Sequence, residues 1–511
     1  MNSKGLACVI NCTSNFIRLV VAEFDSEGKP RVVDSVINYH SLGRDVFTYG
    51  IVRRKALLAA LRIFTQYKEF LEGYGITPQE SKVIGTSALR EARNRDAFID
   101  RIEVRTGFRI NVIDGMEENR LMYMMVQHSL APVIPQIQKY NAMIVEVGGG
   151  STEVMLLRRG LINAIHSVSF GAIRLEEDYK EFIGSSLIDE AAVRQSLNTV
   201  KELLDHEMKT SSVRYFIAVG NYARLVAGIL GGQESDVYTV VTRDDWEKLA
   251  QDSKKMRPED CVLKWGLPMA AVEGLGNALM ACSFLMEDSL VEEIHIPWGG
   301  HSEGILMEMG PGIDPAVQER FTSQVRASAI SLGKKYHFDQ NHAKHVTELA
   351  LALFDQLSLD HGMGERARLL LEVASLLHDI GTFIKPSGHH KHGMYLVENA
   401  EIFGLDPREI KIVANLVRYH RKTSPNPTHI NYTVLPREDR LMVLKLASLL
   451  RVADALDRSH SQKIRNLKVQ RKEDEVRLHT QWEVDPISER FSLSTKGRMF
   501  EEIYGLKLTL L

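Results

Sequence analysis

Hydrophobic and polar positions change their rhythm once along the chain. Up to about Gly310, short runs rich in β-branched residues alternate with stretches of helical period, the signature of an α/β layer. Val9-Ile10, Leu19-Val20-Val21 and Val32-Val33 read as strands, and the spacing predicts a helix over 55–72. Val83-Ile84, 110–113, 142–147 and 215–219 are further strands, with helices between them. From about Pro315 the period becomes helical and most of the histidines appear, with helices predicted over 346–357, 369–377 and 442–456. The tail from about Ile464 turns strand-like again at 475–479 and 506–510. Gly310-Pro311-Gly312 is the best linker candidate.

A weak internal repeat lies in the first regime. Val9-Ile10-Asn11-Cys12-Thr13-Ser14-Asn15 precedes a strand over 17–24, and Val145-Glu146-Val147-Gly148-Gly149-Gly150-Ser151-Thr152 precedes one over 153–157. Each is an apolar strand, a polar residue near its end, a small-residue turn and a returning strand. They sit roughly 135 positions apart, about one domain length. Two facing lobes, each offering one hairpin to phosphate, would account for the repeat.

Composition narrows the class. At 511 residues the chain is too long for one core, and 44% hydrophobic with 25% charged residues excludes a disordered or fibrous protein. A net charge of −3 leaves no global bias toward polyanions, so any anion site must be local. The four cysteines, Cys8, Cys12, Cys261 and Cys282, are too few for a disulfide scaffold and form no CxxC pair; they read as buried apolar side chains in a reducing compartment. No segment approaches the ~18 uninterrupted apolar residues of a membrane span. A soluble cytoplasmic protein with no membrane partner is expected.

Three segments carry candidate anion chemistry. Gly148-Gly149-Gly150-Ser151-Thr152 follows a strand, where glycines permit positive φ and let backbone N–H groups turn toward an anion. A tight hairpin needs the same glycines. Glu146 ends that strand, and a carboxylate there has a use if a cation or water separates it from phosphate. Gly85-Thr86-Ser87-Ala88-Leu89-Arg90 follows a strand and opens a helix, an anion-binding geometry in which Arg90 could act as a bidentate fork. Val112-Ile113-Asp114-Gly115-Met116-Glu117-Glu118 is again strand, turn and helix start. Glu117 and Glu118 suit the helix dipole there, or one of them serves as general base for an attacking water.

In order and spacing these blocks, with Ser169-Phe170-Gly171-Ala172-Ile173-Arg174-Leu175, resemble the exopolyphosphatase / guanosine pentaphosphate phosphohydrolase family of the actin-like superfamily. The resemblance implies that Glu118 orients or deprotonates the water attacking a terminal phosphoryl group while Arg90 holds that phosphate. It implies that Ser14, Asn15 and the Gly148–Gly150 and Ser151 turn cradle phosphate, and that Glu146 and Glu153 help place magnesium. Such hydrolysis needs mostly positioning and charge neutralisation. Against the family pattern, this chain has Asn11 and Thr13 where aspartate and glycine are usual. Glu146 stands for aspartate, Asn221 for threonine and Ser302 for arginine. A carboxylate moved by one methylene could slow the reaction or alter its substrate.

The histidine-rich region resembles the histidine/aspartate (HD) phosphohydrolase superfamily, in the order His342, His378-Asp379, Asp454. His392 and His420 would complete a second metal position, and imidazole with carboxylate suits zinc, manganese or iron. Histidines that merely pack and hydrogen-bond are the plainer reading. Lys385, His389, His390, Lys391, Arg418, Arg421 and Lys422 form basic clusters, a solvated face or a track for a long polyanion.

The expected fold is therefore α/β: actin-like lobes over 1–125 and 126–310, a mainly helical HD-type domain over 311–463, and a short strand-containing tail over 464–511. The expected activity is release of terminal phosphate from inorganic polyphosphate or guanosine pentaphosphate, by a homodimer that does not bind DNA. The alternatives are an HD-type hydrolase whose lobes sense a ligand, and a binding regulator without turnover.

Overall fold

A computed structural model of the protein describes residues 5–26, 28–183, 190–235, 237–310, 315–481 and 485–511. Pro311 and Gly312 of the expected linker lie outside them. The chain forms two compact units, Met1–Gln318 and Glu319–Leu511.

The first unit contains two mixed sheets. β1 (Leu6–Cys12), β2 (Phe16–Phe24), β3 (Pro30–Tyr39), β4 (Lys82–Gly85) and β5 (Ile110–Val112) make the first, in the order β3-β2-β1-β4-β5. The second comprises β6 (Asn141–Val147), β7 (Thr152–Arg158), β8 (Leu161–Val168), β9 (Val213–Val219), β10 (Gln233–Glu234), β11 (Tyr238–Thr242) and β12 (Glu293–Pro297). Its order is β10-β11-β12-β9-β6-β7-β8. In both, a three-strand antiparallel meander continues into two strands parallel to the first. The weak sequence repeat is thus a repeat of topology.

The repeat extends to register. Asn11 pairs with Arg18 and Cys12 with Ile17; Glu146 pairs with Glu153 and Val147 with Thr152. Each hairpin closes with the same bond, Thr13 N to Phe16 O at 2.9 Å and Gly148 N to Ser151 O at 2.8 Å. Asn11 and Glu146 therefore occupy equivalent positions.

Helices cover the sheets because the central strands are apolar on both faces. Phe64, Leu71, Phe98 and Ile102 pack on the first sheet, and Trp246, Leu279, Phe284 and Leu285 belong to the core of the second. The helix His301–Met309 returns to the first sheet, where Ile305 and Leu306 join Ala7, Val9, Val20 and Leu121. A lobe boundary near 310 therefore leaves that helix with the wrong sheet. The stretch Met269–Met286 is apolar enough to cross a membrane by composition, but Gly274 interrupts it and 78% of it is buried in the protein. It is a core helix.

The second unit is helical over Gln340–Gln356, Glu365–Leu377, His389–Glu398, Pro407–Tyr419 and Arg437–Leu456. β13 (Arg465–Arg471), β14 (Glu475–Gln481) and β15 (Lys507–Leu510) form a three-stranded sheet in the same unit. The helix Ile487–Lys496 packs on Arg437–Leu456.

Candidate functional site

Each hairpin of the first unit ends at a cleft. Asn11, Thr13, Ser14, Asn15 and Arg18 line it from one, and Glu146, Gly148, Gly149, Ser151 and Glu153 from the other. Glu118, His301 and Ser302 line it as well. The glycine run works differently from the expectation. None of Gly148, Gly149 and Gly150 has positive φ. What they supply is room: a Cβ on Gly149 would stand 2.8 Å from Ser14 Cβ, so only glycine lets the two turns approach. Gly150 does not line the cleft. Its carbonyl accepts from Arg174 Nε at 2.8 Å, and a Cβ there would run into the Phe47 ring and come within 2.8 Å of Ser87 Oγ.

Local structure separates Glu117 from Glu118. Asp114 caps the helix Gly115–Ser129 by accepting from Glu117 N at 2.9 Å. Glu117 then pairs with Arg120 on the helix surface at 2.7 Å, while Glu118 points inward and is 5% exposed. Arg90 donates to Glu118 Oε1 at 2.5 Å and to the Ile113 carbonyl at 2.8 Å. Arg90 is thus held against the candidate base.

The carboxylates are perturbed in opposite senses. Burial pushes the Glu118 carboxyl up, in spite of Arg90. Burial, with Glu118 close by, holds Glu153 well above the usual range. Both Glu153 oxygens are occupied, by Asn119 Nδ2 at 2.8 Å and Ser167 Oγ at 2.9 Å. Burial would also raise Glu146, but His301, 3.2 Å away, holds it low. His301 would be lowered by burial, yet Glu146 lifts it to about 9. The sequence reading missed His301, although it adjoins Ser302 in a block already marked as altered.

Three buried polar atoms here have no partner, Asn11 Oδ1, Asn221 Nδ2 and Ser302 Oγ. Glu146 Oε2 and His301 Nε2 meet only each other, in the 3.2 Å ion pair. All five residues line the cleft. Buried polar atoms are rarely left unpaired in native proteins, and three at one cleft, beside a buried ion pair, mark a place built to receive a polar ligand. All three unpartnered atoms, on Asn11, Asn221 and Ser302, are on residues that depart from the family pattern, as is Glu146.

The second unit gathers its own cluster. His342 and His378 face each other through Nε2 at 3.2 Å, and so do His389 and His420. Behind each ring, Nδ1 meets an acceptor: Asp457 Oδ2 at 2.8 Å for His342, Ser375 O at 2.7 Å for His378, Pro386 O at 3.0 Å for His389 and Val417 O at 2.7 Å for His420. Those acceptors assign the ring proton to Nδ1, so each Nε2 presents a lone pair. Facing lone pairs repel unless a proton or a metal cation lies between them. Asp379 serves both pairs: Oδ1 is 2.9 Å from His389 and 3.4 Å from His420, and Oδ2 is 3.7 Å from His378 and 3.9 Å from His342. Asp454 Oδ1 adds a carboxylate 3.9 Å from His342 Nε2. The donor set fits divalent transition metals, with ring orientations fixed in advance.

One predicted ligand is corrected. His392 takes no part, and His389 holds the place expected for it. The two share a helical face, so spacing could not separate them. Gly381 decides: a Cβ there would run into the His389 carbonyl, so the glycine lets the start of that helix dock beside Asp379. Asp457 was also missed as the partner of His342, though it lies three residues after Asp454.

Comparison with known proteins agrees with this architecture. The Ppx/GppA phosphatase family model matches residues 20–310, and the model for Ppx/GppA phosphatase domain III matches 325–494. The chain is similar to the guanosine-5'-triphosphate,3'-diphosphate pyrophosphatase of Photobacterium profundum, 24% identical over 74% of this chain and 71% of the relative. It is 23% identical to the protein of that name from Aeromonas hydrophila, over 89% and 88% of the two chains. The crystal structure of an exopolyphosphatase from Cytophaga hutchinsonii aligns with a TM-score of 0.53 at 18% identity, covering 60% of this chain and 97% of that one. With both family models matched in order along its two units, this chain belongs to the Ppx/GppA phosphatase family.

Proposed function

We propose that the chain is a hydrolase releasing terminal phosphate from inorganic polyphosphate or guanosine pentaphosphate at the cleft of the first unit. The observation that carries this reading is Glu118, a buried carboxylate with a raised pKa lining a cleft in which three buried polar atoms lack partners. Family membership and the names of the relatives support the substrate class. Glu118 accepts the proton of the attacking water, and Arg90 steadies the carboxylate and the phosphoryl oxygens. The turn amides and Ser14 hold the phosphate. Of the expected magnesium ligands, Glu146 fits better than Glu153, because Glu146 carries a lowered pKa beside His301 whereas both Glu153 oxygens are occupied and its carboxyl is raised. Asn11 Oδ1 adds a neutral oxygen donor. Magnesium held by Glu146 and Asn11 would neutralise phosphate charge.

A second reading is favoured by the facing imidazoles of the second unit. That region is an HD-type metal centre in which His342, His378, Asp379, His389, His420 and Asp454 hold manganese, zinc or iron, which would supply an activated water. Orthophosphate release from polyphosphate and from guanosine nucleotides, in Mg²⁺ and in Mn²⁺, tests both on wild type, Glu118→Gln and Asp379→Asn. Loss with Glu118→Gln alone supports the cleft. Loss with Asp379→Asn alone moves turnover to the second unit.

A further inference from the structure

Asp454 has a partner that neither reading uses. Its Oδ2 accepts a hydrogen bond from Lys496 Nζ, while Oδ1 faces His342. Lys496 ends the helix Ile487–Lys496, in the tail beyond the helical bundle, and its side chain is only 14% exposed. An ammonium lodged on a carboxylate of a candidate metal centre is costly beside a divalent cation, since like charges repel strongly where water is scarce. Arg421 is a second cation at the cluster, its guanidinium 3.3 Å from His389 Nε2.

The charge balance identifies what is missing. Imidazoles that ligate a metal are neutral. The nearby carboxylates are Asp379, Asp454, Asp457 and, through His460 stacked on His342, Asp339. The buried Arg451 guanidinium adds a cation near Asp454. With even one divalent cation bound, the positive charges of the cation, Lys496, Arg421 and Arg451 outnumber these four. A second cation widens the excess. Such a centre favours an anion carrying more than one charge, and a phosphate dianion accepts hydrogen bonds from both Lys and Arg.

We propose that Lys496 is the phosphate-binding cation of the second centre, and that it competes with divalent metal for Asp454. Metal draws on the Asp454 carboxylate, and the released ammonium binds the dianionic phosphate of a phosphomonoester or a terminal phosphoanhydride. The proposal rests on the metal-centre reading. It has a signature that simple structural support lacks, because removing the lysine moves two affinities in opposite directions.

The test is calorimetric titration of the full chain, first with Mn²⁺ and then, Mn²⁺-loaded, with orthophosphate. Binding lost in Asp379→Asn defines the contribution of this centre. In Lys496→Met, Mn²⁺ binds there about tenfold more tightly and orthophosphate about tenfold more weakly, the scale of one charge-assisted hydrogen bond. Lys496→Arg retains the phosphate affinity, and Lys496→Gln repeats the neutral substitution if the methionine variant does not fold. Affinities that stay unchanged, or fall together, overturn the proposal while the metal centre stands. Identical Mn²⁺ binding in wild type and Asp379→Asn overturns the centre and the proposal together.

Discussion

The cleft of the first unit and the histidine cluster of the second solve opposite problems. In the cleft, three polar atoms are buried without partners and carboxylates crowd until burial raises two of them. That arrangement is unsatisfied until a polar ligand enters. In the cluster every ring is already braced from behind, and the facing Nε2 atoms are turned toward one another and toward Asp379, the arrangement of a candidate metal ligand set. The cleft takes its groups from hairpin turns of two sheets. The cluster takes its groups from helix ends and the turns beside them. Backbone turns suit a phosphate, whose oxygens accept from amides, and imidazoles suit a borderline metal.

The contrast breaks most readily at Glu118. Glu118→Gln lowers phosphate release from polyphosphate by ~10²–10⁴-fold and leaves Mn²⁺ uptake intact, as read by a colorimetric phosphate assay beside equilibrium dialysis. Asp379→Asn is the reciprocal change. Because that one carboxylate serves both imidazole pairs, Mn²⁺ affinity falls ~100-fold while release in Mg²⁺ is retained. Release that vanishes with Asp379→Asn would exchange the roles of the two regions.

Smaller effects sharpen the cleft side. Gly150→Ala drives a Cβ into Phe47 and costs ~1–3 kcal/mol in urea unfolding, more than the same change at the open Gly228. His301 supplies a pH signature. Its folded pKa is raised to about 9, so its stabilisation is complete below the ordinary histidine value of 6.5 and is lost as pH rises through 9. In EDTA, wild type therefore loses ~3 kcal/mol more than His301→Gln between pH 6 and pH 9.5. Parallel pH profiles of the two proteins would remove His301 from the electrostatics of the cleft.

Much of this molecule was legible before folding. Alternating and helical periods placed β1, β2, β4, β6 and β9 and the helices Gln340–Gln356 and Arg437–Leu456, because each buries a face whose period is local. The 135-residue offset of the hairpins survives into register, Asn11 with Arg18 and Glu146 with Glu153, since a hairpin is specified by its own turn. Cys8, Cys12, Cys261 and Cys282 are free and buried, as their number and spacing indicated.

Tertiary structure alone decided the rest. Spacing puts His389 and His392 on one helical face, and the docking permitted by Gly381 selects His389. A glycine run promises positive φ, yet what the cleft requires is close approach to Ser14 and Phe47, residues roughly a hundred or more positions away. Glu146 and Glu153 look alike as carboxylates, but Asn119 and Ser167 engage one and leave the other to His301. Local sequence sets which way a side chain points along its own element. What it meets there is set by packing between elements far apart in the chain, and ligand chemistry depends on that meeting.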